Sequence, residues 1–246
     1  MRIILPLLLA ASSLGCYANE LIRICAENEW QPFSFSHKNK PTGASVELIQ
    51  AALASQHIDT QFESGSYNRC LKLTLAGQYD AVLDIAKNAE RAPQFLWPQL
   101  PFMVMKLHLI ANKHIEPEPA DYSAVAGKRF GITTGYEYPD ELLKQHGLIK
   151  IESNSELANF RQLAAGKIDF MLLSEGTLET LSRQISPSER AEIVDWGEVD
   201  QLPLYVAFNP KSAQAKQWAK SLDQGLSELQ KKGEDKKIFA RWRAIP

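Results

Sequence analysis

Two stretches of this chain carry nearly the same text. Leu75-Ala76-Gly77-Gln78-Tyr79-Asp80-Ala81-Val82-Leu83 recurs as Ala164-Ala165-Gly166-Lys167-Ile168-Asp169-Phe170-Met171-Leu172, with Ala, Gly, Asp and the last Leu in register. Each copy reads as the end of an apolar helix, a Gly stop, then an Asp opening a short buried strand. Gly suits the position just past a helix because the chain there often needs positive φ, which an L side chain resists. The strands Ala81-Val82-Leu83 and Phe170-Met171-Leu172 are apolar on both faces, as strands covered by helices should be. Helix–Gly–Asp–strand is also frequent wording in α/β chains generally. The elements around the two copies favour two similar α/β lobes in one chain.

Those elements follow in order. Leu21 to Ala26 alternates as a first strand, and Glu27 to Phe33 is a polar and aromatic loop containing Pro32. Gly43 precedes Ser45, read as an N-cap, and Val46, Leu48, Ile49, Ala52 and Leu53 follow at helical spacing. Thr60–Glu63 reads as a strand, Tyr67–Ala76 as a helix, Asp80–Ile85 as a strand. The pattern β-α-β-α-β predicts a mostly parallel sheet with covering helices. Phe102–Ile110 reads as an extended crossover, with Pro117 and Pro119 marking a loop after it. The second lobe opens with a strand at Arg129–Thr133, a turn at Gly135 and a helix from near Pro139. A helix at Ser155–Ala165, the repeated strand and a helix from Glu175 follow. Ile193-Val194 and Leu204–Phe208 are the last strands, the second lying on the return to the first lobe. A long helix over Ala213–Lys231 and, after Gly233, one with Ile238, Phe239 and Trp242 on one face complete the chain. The expected organisation is a signal segment at 1–18, one lobe from 19–104 and 200–246, and another from 105–199.

Arg2, the apolar run Ile3–Leu14 and the small-x-small triplet Cys16-Tyr17-Ala18 have the layout of an export signal cleaved after Ala18. An uncleaved anchor is the alternative, opposed by Pro6 and Ser12-Ser13 within a short run. Lipidation at Cys16 is another, opposed by Ser13 where a lipobox carries Leu. Removing the signal leaves Cys25 and Cys70, an even count that in an oxidising compartment suggests one disulfide; two buried free thiols are the other reading. The formal net charge of −2, with charges scattered, argues against nucleic acid or an anionic surface as partner. None of the 5 His pairs with Cys, Asp or Glu at a metal-ligand spacing. No Gly-rich phosphate loop or nucleophile elbow is present, so neither metal nor cofactor is expected.

In order and spacing these pieces resemble the family-3 extracellular solute-binding proteins, the periplasmic receptors that feed polar amino acid ABC transporters. The resemblance covers essentially all of the mature chain. It is carried by Leu21-Ile22-Arg23-Ile24 with Trp30-Gln31-Pro32-Phe33, Gly43–Leu53, Gly77-Gln78-Tyr79-Asp80-Ala81 and Glu90-Arg91 before Phe95. Gly131-Ile132 with Gly135, Gly166-Lys167-Ile168-Asp169 and the ending Gly233–Trp242 extend it. It implies a type II periplasmic binding protein, in which two α/β lobes joined by two crossover strands trap a ligand between them.

The resemblance also implies a pocket. Trp30 falls where the family packs an aromatic on the ligand, and Tyr67 where another forms the opposite wall; such faces favour a cation or a flat group. Arg91 matches the arginine that grips the α-carboxylate with its planar fork. Glu27 matches an acid that contacts ligand side chains. Thr134, Gly135 and Tyr136 match a loop at a helix start, where free backbone N–H groups meet an anion. The family's hydroxyl-bearing segment before the arginine is replaced by Ala86-Lys87-Asn88, one residue shorter. The acid for the α-amino group falls near Ser174, with Glu175 next to it. Arg69, Asp84 and Glu137 join the candidates as charges near the inferred cleft. Against these readings stand plainer ones: Trp30 and Tyr67 as core aromatics, Arg91 as a solvated surface residue, Arg69 as a helix cap.

The function expected is a monomeric periplasmic receptor for a small polar solute, an amino acid or related carboxylate, presented to an ABC-transporter permease by hinge closure. It is expected not to be an enzyme. The alternatives are a cleft enzyme similar to cyclohexadienyl dehydratases, with Glu27, Glu137 or Glu175 as acid, and a ligand-sensing subunit of a signalling system.

Overall fold

The computed structural model describes residues 20–116 and 121–243. The signal segment, its Cys16 and the Pro117 and Pro119 loop lie outside the described residues.

Strand β1 (Glu20–Glu27) leads through β2 (Glu29–Trp30), β3 (Ser34–His37) and β4 (Lys40–Thr42) into helix α1 (Ala44–Ala54). Strand β5 (Ile58–Gly65), helix α2 (Tyr67–Leu75) and strand β6 (Ala81–Ala86) complete the first set. β7 (Met103–Asn112) crosses to the second: β8 (Arg129–Thr133), α3 (Asp140–Leu143), β9 (Ile149–Ser153), α4 (Glu156–Ala164), β10 (Phe170–Ser174), α5 (Glu175–Ser182) and α6 (Pro187–Arg190). β11 (Ile193–Phe208) returns, and α7 (Ala215–Lys232) and α8 (Glu234–Arg243) close the fold on the first half. Eight strands form one sheet in the order β5-β1-β6-β11-β7-β10-β8-β9, and β2-β3-β4 form a small meander. β1 runs parallel to β5 and β6, and β8 parallel to β9 and β10; β11 is antiparallel to both its neighbours. The fold is the expected α/β class.

Each half buries its own cores. Leu48, Ile49 and Leu53 on α1 are fully buried against Ile22, Ile24, Leu83 and Leu222, each side chain contributing about 1.5–3 kcal/mol. Gly225 lets α7 lie against α1, because a Cβ there would collide with the Ala52 carbonyl. In the second half Phe130, Val125 and Phe170 centre one cluster, while Phe160, Leu163 and Ile168 centre another on the opposite sheet face.

The repeated text is a repeated device. Gly77 and Gly166 both carry positive φ, at 84° and 66°, and end α2 and α4. The next Asp then grips the first strand of its own half. Asp80 accepts from the Arg23 backbone N–H at 2.9 Å and from its guanidinium at 3.2 Å. Asp169 accepts from the Arg129 backbone N–H at 2.7 Å and from its guanidinium at 2.5 Å.

Two expectations need correction, and two features went unread. The strands read at Ile193-Val194 and Leu204–Phe208 are one 16-residue strand. Its polar middle is held by pairing with β7, with register shifts around Glu198 and Gly197 at φ 100°. Ser45 does not cap α1: Gly43 holds that position, and the Ser45 hydroxyl is buried without a hydrogen bond. β9 and the meander were invisible to apolar alternation, because the residues of β9 are mostly exposed or half-buried. Cys25 and Cys70 are joined in a disulfide that ties β1 to α2.

Candidate functional site

The site gathers where β1, β6 and β8 end at their carboxyl edges, the edge at which open α/β sheets present ligand-binding loops. Glu27 is the last residue of β1 and Tyr67 the first of α2. Arg91 follows β6 in a loop whose Asn88 side chain accepts the Arg91 backbone N–H at 2.8 Å. From the other half comes the loop after β8. There the Thr133 N–H donates to the Tyr138 hydroxyl at 2.8 Å, and Gly135 takes φ 90° beside Asn68 of α2.

The halves meet through side chains. The Tyr67 hydroxyl donates to the Glu137 carboxylate at 2.7 Å. Arg91 forms an ion pair with Glu137, the two side chains 14% and 9% exposed. Its Nη1 donates to the Tyr67 hydroxyl at 3.1 Å, its Nη2 to the Gly135 carbonyl at 2.8 Å, and its guanidinium lies 5.5 Å from the Tyr67 ring centroid. The Tyr136 hydroxyl donates to Glu27 at 2.6 Å, and its ring meets Tyr67 edge to face at 5.4 Å. The Asn68 side chain donates to the Thr134 carbonyl at 3.1 Å.

Tyr136 stands between two cavities. The larger one, about 190 Å³, is lined by Glu27, Glu29, Asn68, Thr134 and Asn154 among others. The smaller one, about 40 Å³, is walled by Trp30, Met105, Tyr138, Leu172, Ser174 and Glu156. No Lys, Arg or His lines either. Burial pushes the Glu156 carboxyl up to about 8. Burial also raises Glu27 well above its ordinary value, against the hydrogen bond from Tyr136. The cavity walls are therefore acidic and aromatic.

The other expected residues lie as follows. Trp30 stacks on Phe33 at 4.5 Å and borders the smaller cavity, while Tyr67 borders the larger and Tyr136 borders both. Of the three backbone N–H groups read as free for an anion, two are engaged: Thr134 donates to Ser153, and Tyr136 to Thr133. The Ser174 hydroxyl pairs with that of Thr177 at 2.5 Å. Asp84 is buried at φ 62° with no hydrogen bond to either carboxylate oxygen, and burial raises it to about 7. It lies beside Ser34 and Ser45, and lines neither of the two cavities that flank Tyr136. Arg69 is exposed on the far side of α2, near Tyr79, because it is two positions from Tyr67 and so about half a turn around the helix. Glu175 is exposed and pairs with Arg243 of α8 at 3.3 Å, away from Arg91. Glu156 and Tyr138 were missed. A Glu after the N-cap Ser155 reads as an ordinary first-turn acid, and Tyr138 as one more loop aromatic. Among the described residues, no cluster of His, Cys, Asp and Glu is arranged to hold a metal ion.

None of the curated proteins matches the chain by sequence. Solved structures do by fold. An amino acid ABC transporter substrate-binding protein, AbpA from Streptococcus pneumoniae bound to L-arginine, is similar at TM-score 0.71 and 17% identity, covering 91% of this chain and 94% of that one. A histidine kinase sensor domain with similarity to periplasmic binding proteins matches at 0.74 and 18%, covering 92% and 98%. An ancestral amino acid-binding protein, AncCDT-1, described as a precursor of cyclohexadienyl dehydratase, matches at 0.72 and 16%, covering 90% and 94%. The sequence description of the bacterial extracellular solute-binding proteins, family 3, fits residues 22–244, and the chain belongs to that family.

Proposed function

We propose that this solute-binding protein captures a small polar solute, an amino acid or a relative of one, between its halves and delivers it to an ABC-transporter permease. In this reading the lobes are residues 19–104 with 200–246, and 105–199. The mature chain is a periplasmic monomer released after Ala18, and β7 and β11 are the hinges. The observation that carries the reading is the meeting of Glu27, Tyr67 and Arg91 from one half with Tyr136 and Glu137 from the other. Solute contacts made to both halves only when they are shut would shift the population toward closure. A micromolar receptor needs about 8 kcal/mol of net binding free energy, within reach of a buried charge pair and aromatic packing. The test is thermal unfolding against a panel of polar amino acids and related amines. At least one compound should raise the midpoint in the wild type and lose that effect in Glu27→Gln; silence across the panel contradicts the receptor reading.

A second reading is a cleft dehydratase, supported by Glu156, a cavity carboxyl whose value near 8 suits a general acid. Turnover of prephenate, abolished in Glu156→Gln, would favour it.

A further inference from the structure

The arginine that could grip a ligand carboxylate already holds one. Arg91 pairs with Glu137, gives Nη1 to the Tyr67 hydroxyl at 3.1 Å, and gives Nη2 to the Gly135 carbonyl at 2.8 Å. Tyr67 turns its own hydroxyl hydrogen to Glu137 at 2.7 Å. The Arg91 charge is thus already met within the protein, by a carboxylate that the opposite half supplies. A ligand carboxylate on Arg91 would strand Glu137, a carboxylate 9% exposed, without its cation.

What remains open has the other sign. The two cavities flanking Tyr136 carry Glu27, Glu29 and Glu156 on their walls and no basic side chain. The Glu27 carboxylate accepts from the Tyr136 hydroxyl at 2.6 Å, and the charges of Glu27 and Glu156 repel each other. Trp30, Tyr136 and Tyr138 add aromatic faces beside these carboxylates.

We infer that Glu137 is a built-in substitute for a ligand carboxylate, and that the solute is an amine cation carrying no carboxylate of its own. Glu137 is then the specificity-determining residue: it neutralises Arg91 at closure, leaving Glu27 and Glu156 to receive an ammonium group. A free amino acid brings an anion for which neither cavity wall carries a cation, whereas its decarboxylated amine brings only the charge that the walls lack. The inference rests on the receptor reading and narrows it.

Matched pairs test it: arginine with agmatine, lysine with cadaverine, histidine with histamine, tyrosine with tyramine. Binding to the wild-type protein is measured by calorimetry and by the unfolding midpoint. At least one amine should bind, with its parent amino acid at least tenfold weaker. In Glu137→Ala that gap should close or reverse, because Arg91 is freed for the α-carboxylate. Glu137→Gln, which keeps the loop filled, should narrow the gap in the same direction. A wild type that binds an amino acid as tightly as its amine overturns the inference and leaves the receptor reading standing. So does a gap that persists in both variants. A panel in which nothing binds any of the three proteins overturns both.

Discussion

Glu137 and Arg91 form an ion pair across the cleft, each contributed by a different half and each largely shielded from solvent. Removing one partner of a buried pair leaves the other uncompensated, at about 3–5 kcal/mol. If β7 and β11 act as hinges, as proposed, there is an escape, since parting the halves returns the survivor to water. Arg91→Ala should therefore favour the open form more than it lowers stability. Small-angle scattering should show a larger radius of gyration than wild type, with the unfolding midpoint down by only a few degrees. An unchanged radius would mean that this pair does not hold the cleft shut.

Stability should fall as pH rises from about 5 to about 8. Asp84 and Glu156 ordinarily ionise at 3.8 and 4.5, but burial raises them to about 7 and about 8 in the folded protein. Across that interval the folded state keeps protons that the unfolded chain has released, so each rise in pH favours unfolding. Calorimetry at pH 5.5 and 8.5 should give the higher midpoint at 5.5. Asp84→Asn should narrow the difference, mostly by stabilising the protein at 8.5. A variant with the full wild-type slope would show that Asp84 is not held protonated.

The pH dependence of amine binding should run the other way. Glu27 and Glu156 attract a cation only when ionised, and burial raises both. Affinity for an amine should increase between pH 6.5 and 8.5 and lose most of that dependence in Glu156→Gln. Titration calorimetry at the two pH values checks it.

The repeated Asp80–Arg23 and Asp169–Arg129 clamps each satisfy a backbone N–H as well as a guanidinium. For Asp169, burial works against the charged form, and the bonds and charge of Arg129 outweigh it, holding the carboxyl below its usual range. Asp169→Ala should cost about 1–3 kcal/mol, read from chemical denaturation. Asp80→Ala should act likewise on the other half. Loss of either clamp without effect would reduce the repeat to coincidence.

The Cys25–Cys70 bridge closes a loop across 45 residues of sequence, so reduction should lower stability by about 2–4 kcal/mol. Peptide mapping of unreduced protein after alkylation should find neither residue modified.

How much of this was legible depends on where the signal lay. Although the grips of Asp80 on Arg23 and of Asp169 on Arg129 span 57 and 40 residues, the helix–Gly–Asp–strand units were readable, because Gly77 and Gly166 do a local job, a positive φ just past a helix. The unity of β11 was not. Its polar stretch Asp195–Gln201 is held by partners far away in sequence, and only β7 reveals it. At the site, Glu27, Tyr67 and Arg91 could be named one by one, but not their satisfaction by Tyr136 and Glu137. That depends on how two halves of a chain face each other. Arg69 and Glu175 were misplaced for the same reason: proximity in sequence to Tyr67 or Ser174 does not fix which way a helix turns them.

Hydrogen exchange in the presence and absence of a stabilising amine tests the central claim most directly. If the solute is held between the halves, exchange should slow together at residues 26–30 and 66–70 in one half and 133–138 in the other. Slowing confined to one half, or to the groove of about 930 Å³ beside α7 lined by Gln56, Leu100 and Lys220, would place the binding site elsewhere and contradict the account.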